Sequence, residues 1–168
     1  MKVVPGWYRH EKGGVYRTLY NVIGVVTHTE SGEQFVLFQT LDPFHGDFTH
    51  MPLQQFSDGM NTEFTCRQVS SAPTLVSPLL RSYDLQPGLY EHMKGARYNV
   101  LGISTNAEAG EKMVAYQPLE GEHRYRFFLR PLLMFRERIK RPGQEHAVQR
   151  FFLLDPYREP RIAEEYQD

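Results

Sequence analysis

The chain alternates short runs of apolar and aromatic residues with turn-forming residues. β-branched and aromatic side chains cluster in runs of about four to eight, and Gly, Pro, Asp or Asn bounds each run. This pattern predicts short strands rather than long helices. In the first half of the chain we predict strands at 7–11, 22–29, 33–40, 48–51 and 64–69. In the second half we predict strands at 89–93, 100–105, 112–117, 124–129, 135–140 and 147–154, with a turn at 141–144 joining the last two.

The predicted strands recur in the same order because the sequence is duplicated. The phrase Pro-Gly-x-Tyr-x-His-x-Lys-Gly occurs twice, and four further motifs follow it in the same order in both halves. The matching segments are 5–13 and 87–95, 21–24 and 99–102, 32–33 and 110–111, 38–41 and 116–119, and 52–56 and 131–135. The first copy carries extra residues, best placed at Arg17 to Tyr20. This agreement indicates two copies of one domain of about 70 to 80 residues.

The duplication divides the chain into four parts. We call 1–69 repeat 1 and 87–154 repeat 2, with a linker at 70–86 and a C-terminal tail at 155–168. The linker contains several apolar residues and one predicted helical turn at 78–83, so we expect it to pack against the repeats rather than form a free tether. The tail is polar.

The strand pattern predicts a mainly β protein made of two tandem small SH3-like β-barrels. In each repeat, Pro-Leu-x-x-Phe suits a single tight helical turn before the last strand, since its Leu and Phe are three residues apart. A small barrel of this kind removes exposed sheet edges by near closure. The alternative is a β-rich fold in which the two repeats share one sheet. Because domains this small bury little surface, an interface between the repeats would add core.

Composition and charge narrow the classes of partner. The chain has 168 residues, of which 40% are hydrophobic, and its formal charge of −1 argues against attraction to nucleic acid over the whole surface. Its single cysteine excludes a disulfide within the chain. The sequence has neither the apolar run of a secretory signal nor a stretch of about 20 apolar residues, so we expect a cytoplasmic protein with no membrane partner.

The repeated motifs resemble a small bacterial family known as domain of unknown function 1653. The resemblance covers most of 5–56 and of 87–151 and leaves out the linker and the tail. It implies a domain organisation but no reaction, because the family carries no established activity. Repeat 2 is the closer match, since Arg130-Pro131-Leu132 and Arg150-Phe151 resemble family motifs. Repeat 1 departs from the pattern, with Met51 in place of the arginine.

The repeated phrase also supplies candidate ligand-binding residues. In an extended strand, Tyr8, His10 and Lys12 project to one face. The equivalent residues of repeat 2 are Tyr90, His92 and Lys94. An aromatic ring beside cationic groups suits a planar or anionic ligand. The structural alternative is that the tyrosines complete the barrel cores, the histidines bond to the backbone and Lys-Gly forms a turn.

Repeat 2 has a basic region that repeat 1 lacks. Between Glu122 and Arg150 only three glutamates oppose the basic residues, which are Arg124, Arg126, Arg130, Arg136, Arg138, Lys140, Arg141 and Arg150. Guanidinium groups bind phosphate and carboxylate in bidentate fashion, so we add Arg130 and Arg150 to the candidate site. The alternative is a solvated strand face.

Catalytic and metal-binding patterns are weak, so we expect no cofactor. Cys66 lies outside the repeated motifs, and no nucleophile elbow or phosphate-binding glycine loop is present. Glu33 and Glu111 each follow a turn glycine, where solvent exposure is the expected role. The spacing His45-x-Asp47-x-x-His50 lacks a clear third ligand and has no counterpart in repeat 2.

Two classes of function remain. The first is a non-catalytic binding module that recognises a protein segment or a small anionic ligand, mainly through repeat 2. The alternative is a nucleic-acid or nucleotide accessory protein that uses the basic strands of repeat 2, whose binding would weaken with salt. A third, weaker hypothesis is an active site formed between the repeats from residues distant in sequence.

Overall fold

The computed structural model describes residues 3–10, 19–40, 48–61, 66–70 and 84–156. Repeat 1 contains β1 Gly6–His10, β2 Leu19–His28, β3 Gln34–Thr40, β4 Phe48–Pro52, α1 Leu53–Asn61 and β5 Cys66–Ser70. Repeat 2 contains β6 Gly88–His92, β7 Arg97–Asn106, β8 Lys112–Pro118, β9 Phe127–Pro131, α2 Leu132–Phe135, β10 Arg138–Ile139, β11 Val148–Gln149 and β12 Phe151–Pro156. The predicted mainly β class is therefore confirmed.

Each repeat orders its strands in the same way. In repeat 1, β1 pairs with β5 and β2, β2 pairs with β3, and β3 pairs with β4, all antiparallel. In repeat 2, β6 pairs with β12 and β7, β7 pairs with β8, and β8 pairs with β9. In both, a helix precedes the strand that returns to the first one. This is the SH3-like arrangement predicted from the sequence.

The repeats are also joined through a third barrel that takes three strands from each. β4 pairs with β7 in parallel, and β9 pairs with β2 in parallel, so that β2, β3, β4, β7, β8 and β9 form a closed ring of six strands. The far halves of the long strands β2 and β7 belong to this ring. The shared sheet that we kept as an alternative thus coexists with the two SH3-like units.

Three clusters of buried side chains fill this architecture. One lies within each repeat, around Tyr8 and Phe56 in repeat 1 and around Tyr90 and Phe135 in repeat 2. The third fills the six-stranded ring and takes its members from both repeats: Ile23, Val26, Phe35, Leu37, Phe48, Leu101, Met113, Ala115, Phe127 and Leu129. The central core therefore exists only when both repeats are present.

The repeated Asn-Val-x-Gly motif marks the bend that lets β2 and β7 serve two barrels. The pairing with the next strand shifts register between Val22 and Gly24, and likewise between Val100 and Gly102. Gly24 has a φ of 151° and Gly102 a φ of 138°, both outside the usual range for L-residues. A β-bulge at this position bends the strand and requires a positive φ. Glycine is required here because it has no Cβ and therefore adopts a positive φ at little cost in free energy.

Gly102→Ala is expected to lower the free energy of unfolding by about 1–3 kcal/mol, since the new side chain would hold a strained φ. Urea unfolding followed by circular dichroism measures this difference. Gly121→Ala is the comparison variant and should lose less stability, because Gly121 lies in an exposed turn with a φ of 82°, close to the left-handed region that L-residues can enter, and no atom lies within 4 Å of an added Cβ. Equal stability of wild type and Gly102→Ala would contradict this account of the bulge.

Several predicted boundaries were wrong, and turns explain most of them. The strand predicted at 124–129 begins at Phe127, because Tyr125 has a φ of 66° and donates its N–H to the Pro118 carbonyl at 2.8 Å. The strand predicted at 135–140 shrinks to β10, since Phe135 ends α2 with its ring in the repeat 2 core. The strand predicted at 147–154 divides at Arg150, whose N–H donates to the Glu137 carbonyl at 2.9 Å.

The predictions for the turns, the helices and the extra residues of repeat 1 were partly correct. The predicted turn at 141–144 joins β10 to β11 as expected. α2 is the predicted single turn, whereas α1 continues for nine residues and contains a Gln54–Asp58 side-chain hydrogen bond of 2.9 Å. Tyr20 pairs with Tyr8 as Tyr98 pairs with Tyr90, so the extra residues of repeat 1 precede β2. The predicted helical turn at 78–83 and the tail beyond 156 lie outside the described residues.

Candidate functional site

The repeated tyrosine closes the core of each repeat. Tyr8 is 3% exposed and Tyr90 is 5% exposed. The Tyr8 hydroxyl donates to the Val4 carbonyl at 2.6 Å, and the Tyr90 hydroxyl donates to the Gln86 carbonyl at 2.7 Å. Burial raises the pKa of Tyr90, which keeps its hydroxyl protonated. Both tyrosines take the structural role that we gave as the alternative, so we leave them out of the site.

The repeated His-x-Lys-Gly segment forms a turn in repeat 2. The Lys94 N–H donates to His92 Nδ1 at 3.2 Å, and the Gly95 N–H donates to the His92 carbonyl at 2.7 Å. With Nδ1 accepting from the backbone, Nε2 carries the proton of the neutral ring and is the atom able to donate outward. The side chain of Lys94 is exposed. In repeat 1, the side chain of His10 and all of Lys12 lie outside the described residues.

Arg130 lies on β9 and is only 20% exposed. Its guanidinium lowers the pKa of the nearby Tyr116 hydroxyl, which burial raises overall, and its Nη2 lies 4.0 Å from a Glu30 carboxylate oxygen. Its Nε is buried and has no hydrogen-bond partner among the described residues. The equivalent residues of repeat 1 are Met51 and Phe38, which pack together in an apolar cluster. At these two equivalent positions, repeat 2 thus has a polar pair and repeat 1 has an apolar pair.

Arg150 lies at the link between β11 and β12, and its charge, like that of Arg130, lowers the pKa of His92. Arg150 is 22% exposed, and its Nη1 lies 3.2 Å from a Glu137 carboxylate oxygen. As in Arg130, the buried Nε has no hydrogen-bond partner within the described part of the chain. A guanidinium has five N–H donors, so the carboxylate leaves donors of Arg150 unused. Carboxylates therefore hold the two arginines in place without using all of their hydrogen-bond donors.

Aromatic rings lie near these arginines. Tyr98 lies 5.4 Å from Tyr116 and 5.5 Å from Phe151 between ring centroids. The His92 ring lies 4.9 Å from Phe151 and 6.5 Å from Tyr98. Tyr98 and His92 are both partly exposed. We call Arg130, Arg150, His92 and Tyr98 the arginine site.

The electrostatics of His92 show that positive charges converge here. Burial lowers the pKa of His92, and the charges of Arg150, Lys94, Arg130 and Arg141 lower it further. Burial raises the pKa of Tyr98, and the charge of Arg130 acts in the opposite direction by lowering it. A cluster of cations that disfavours a protonated histidine favours an anion in the same position.

Comparison with known proteins decides the family. The family described as "Protein of unknown function (DUF1653)" matches residues 6–64 and 88–153, which together make up more than half of the chain. The chain belongs to this family. A crystal structure of a DUF1653 protein from Bordetella bronchiseptica is 26% identical, with a TM-score of 0.39 over 45% of this chain and 95% of that chain. No curated protein matches this chain.

Both DUF1653 segments of the chain fold alike, and the arginine site belongs to the second. Sequence reasoning identified Arg130, Arg150 and His92, which the structure brings together, but it missed Tyr98 and Tyr116. Aligning the repeats position by position would have found Tyr116, because the change from Phe38 to Tyr116 accompanies the change from Met51 to Arg130. No pattern singles out Tyr98, since Tyr20 occupies its position in repeat 1.

Two other motifs that occur in both DUF1653 repeats are structural. Asn21 and Gln39 are fully buried, and the Asn21 amide donates to the Gln39 side-chain oxygen at 3.2 Å across β2 and β3. In repeat 2, the Gln117 amide donates to the Tyr125 carbonyl at 2.9 Å. These amides form hydrogen bonds with buried backbone and side-chain groups. The Asn-Val-x-Gly motif and the motif of an aromatic residue followed by glutamine, at 38–39 and 116–117, therefore maintain the fold.

The described residues hold no group of three or more metal-ligating side chains. His45 and Asp47 lie outside them, and His50 is buried with Nδ1 2.8 Å from the Ser104 hydroxyl. Glu33 and Glu111 are exposed at their turns. In the described part of the chain, none of the helices is long and apolar enough to cross a bilayer.

Proposed function

We propose that the chain is a non-catalytic binding module that takes a small anionic ligand at the arginine site of repeat 2. Arg130 and Arg150 would hold a phosphate or carboxylate group, His92 Nε2 would donate a further hydrogen bond, and Tyr98 would contact an adjoining planar group. Repeat 1 supports this site from one side through Glu30. The proposal needs no cofactor and no catalytic residue, and it assigns the chain to the bacterial cytoplasm.

The observation that carries the proposal is the difference between the repeats at one position of the same barrel. Met51 and Phe38 pack together in repeat 1, so the fold is satisfied by an apolar pair there. Repeat 2 instead places Arg130 and Tyr116 at these positions and keeps most of the guanidinium out of solvent. Burying an arginine costs free energy, so a fold that does not need it is evidence for another role.

The glutamates beside the two arginines do not explain them equally well. Glu30 is 46% exposed and its carboxylate lies 4.0 Å from Arg130, a distance at which a partly exposed pair contributes roughly 0–1 kcal/mol. Glu137 is similarly exposed beside Arg150. An anionic ligand that forms bidentate bonds to the guanidinium groups would compete more readily with the Glu30 carboxylate, at 4.0 Å, than with the Glu137 carboxylate, at 3.2 Å.

Phenyl phosphate is a suitable probe, because it joins an anionic group to a planar ring. Isothermal titration calorimetry should detect binding to the wild-type chain and at least about tenfold weaker binding to Arg130→Met, since a hydrogen bond to a charged group contributes about 1.5–3 kcal/mol. Inorganic phosphate should bind more weakly than phenyl phosphate, because it cannot contact Tyr98.

The matched control removes an equal charge from an exposed place. Arg126→Gln alters an exposed arginine in the loop between β8 and β9, and we expect it to bind phenyl phosphate as the wild type does. Arg130→Met should keep a wild-type unfolding temperature, because repeat 1 holds Met51 in the same environment. Equal losses in both variants would point to net charge alone and would contradict the site.

A second candidate function uses the basic surface rather than the arginine site. Three exposed basic residues, Arg138, Lys140 and Arg141, lie on the hairpin of β10 and β11, which has no counterpart among the described residues of repeat 1. Such a hairpin would suit nucleic acid. Fluorescence anisotropy with single-stranded DNA at low salt tests it: binding that falls steeply with added salt supports this candidate, and its absence removes it.

A further inference from the structure

Glu30 of repeat 1 brings a carboxylate to the arginine site of repeat 2. Its Oε1 lies 4.0 Å from Nη2 of Arg130, which is too far for a hydrogen bond, and accepts one from the Thr29 hydroxyl at 3.3 Å. Both contacts use the same oxygen, and Oε2 has no hydrogen-bond partner among the described residues. The guanidinium of Arg130 and the carboxylate of Glu30 therefore face each other with bonding capacity to spare.

The equivalent carboxylate of repeat 2 is held in a different way. Glu108 occupies, on the turn between β7 and β8, the position that Glu30 occupies between β2 and β3. Its Oε1 accepts a hydrogen bond of 2.6 Å from the side-chain amide of Gln55 on α1. The residue of α2 equivalent to Gln55 is Met134, which has no donor. The neighbouring helix thus holds the carboxylate of Glu108 and leaves that of Glu30 available to a ligand.

A ligand that is only an anion would fit this arrangement poorly. An anion bound to Arg130 in bidentate fashion would take the place of the loosely held Glu30 and put a second negative charge beside its carboxylate. The guanidinium is 20% exposed, so solvent screens this repulsion incompletely. A positive group on the same ligand, next to its negative group, would turn the repulsion into attraction.

We propose that the arginine site binds a zwitterion, an α-amino acid with an aromatic side chain, and that Glu30 selects it. This inference rests on the proposed function and names the class of its ligand. The carboxylate of the amino acid binds Arg130 and Arg150, and the aromatic ring contacts Tyr98. The ammonium group donates to Glu30. An α-amino acid carries its two charges on neighbouring carbon atoms, so they lie close together as those of Arg130 and Glu30 do.

Isothermal titration calorimetry with two matched ligands tests the role of the ammonium group. 3-Phenylpropanoate is L-phenylalanine without its ammonium group. The wild-type chain should bind L-phenylalanine at least about tenfold more tightly, because the hydrogen bond between two charged groups is lost with the ammonium. Glu30→Gln should lose this preference. It should bind phenyl phosphate at least as tightly as the wild type does, because it removes a negative charge beside the anion.

The pseudo-symmetry of the repeats supplies the control. Glu108→Gln makes the same change on the equivalent turn, away from the arginine site, and should keep the wild-type preference for L-phenylalanine. Glu30 is 46% exposed, so we expect Glu30→Gln to fold as the wild type does. Circular dichroism checks both variants.

Two results would overturn the inference: equal binding of the two matched ligands to the wild type, or a preference for L-phenylalanine that Glu30→Gln retains. If phenyl phosphate binds through Arg130 while L-phenylalanine does not bind, the zwitterion is excluded and the anion site stands. If none of the three compounds binds, both the inference and the proposed function are wrong.

Discussion

Lowering the pH from 7 to 4 is expected to remove about 3 kcal/mol of stability through His50 alone. His50 is fully buried in the ring shared by the repeats, with Nδ1 2.8 Å from the Ser104 hydroxyl and its ring against Phe35. Burial, assisted by the charge of His28, lowers the pKa of His50 from 6.5 to about 4. Each unit of difference between folded and unfolded pKa corresponds to about 1.4 kcal/mol.

The sign follows from the protonation of the two states. Below pH 6.5 the unfolded chain gains a proton at His50, whereas the folded chain keeps the ring neutral until the pH approaches 4. The unfolded state is therefore favoured increasingly as the pH falls through this window, and the loss is complete below the folded pKa.

The pseudo-symmetry of the ring provides a matched variant. Where β4 meets β7, His50 and Ser104 lie together, and where β9 meets β2 the equivalent residues are Leu129 and Val26, both fully buried. The double variant His50→Leu/Ser104→Val copies that apolar pair. It should lose about 3 kcal/mol less than the wild type between pH 7 and pH 4 in urea unfolding. The same loss in both proteins would contradict the assignment to His50.

Repeat 2 alone, expressed as residues 84–156, is expected not to fold as a monomer. Five side chains of repeat 2 in the central core are at most 5% exposed, and removing repeat 1 uncovers them: Leu101, Met113, Ala115, Phe127 and Leu129. Burial of each large apolar side chain contributes about 1.5–3 kcal/mol. The free energy lost by exposing them together is therefore close to the typical free energy of unfolding of a whole domain. The parallel partners of β7 and β9 are lost as well.

Heteronuclear NMR of this fragment tests the prediction, with poorly dispersed amide resonances as the expected result. Adding the complementary fragment 1–83 should restore dispersed resonances, because it returns the missing half of the ring. A fragment 84–156 that is monomeric and as stable as the full chain would contradict the shared core.

Much of the fold was predictable because the duplication doubled the evidence for each element. The positions of β2, β3, β7 and β8 follow from runs of β-branched and aromatic residues bounded by turn-forming residues. The closed ring was not predictable, since parallel pairing of β4 with β7 and of β9 with β2 leaves no mark in local sequence. Residues such as Leu37 and Ala115 are apolar whichever barrel they fill. The role of buried His50 was not predictable either, because its partner Ser104 is distant in sequence.

Positions at which the repeats differ pointed to residues of the site, whereas positions at which the repeats agree pointed to residues of the core. The repeated Tyr8 and Tyr90 attracted attention as candidates, yet both serve the cores. Arg130 and Arg150 stood out because repeat 1 has no equivalent arginines in its motifs. Their proximity to His92 could not be read from the sequence, because it depends on Arg150 lying at the link between two short strands.

The most direct test of the binding proposal observes the two arginines themselves. In a ¹H–¹⁵N correlation spectrum, the Nε–H resonances of Arg130 and Arg150 should shift progressively and saturate as phenyl phosphate is added, because their guanidinium groups hold the anion. The Nε–H resonance of Arg126 should stay in place. If the Arg130 and Arg150 resonances do not move, or move no more than that of Arg126, the arginine site does not bind anions and the account is wrong.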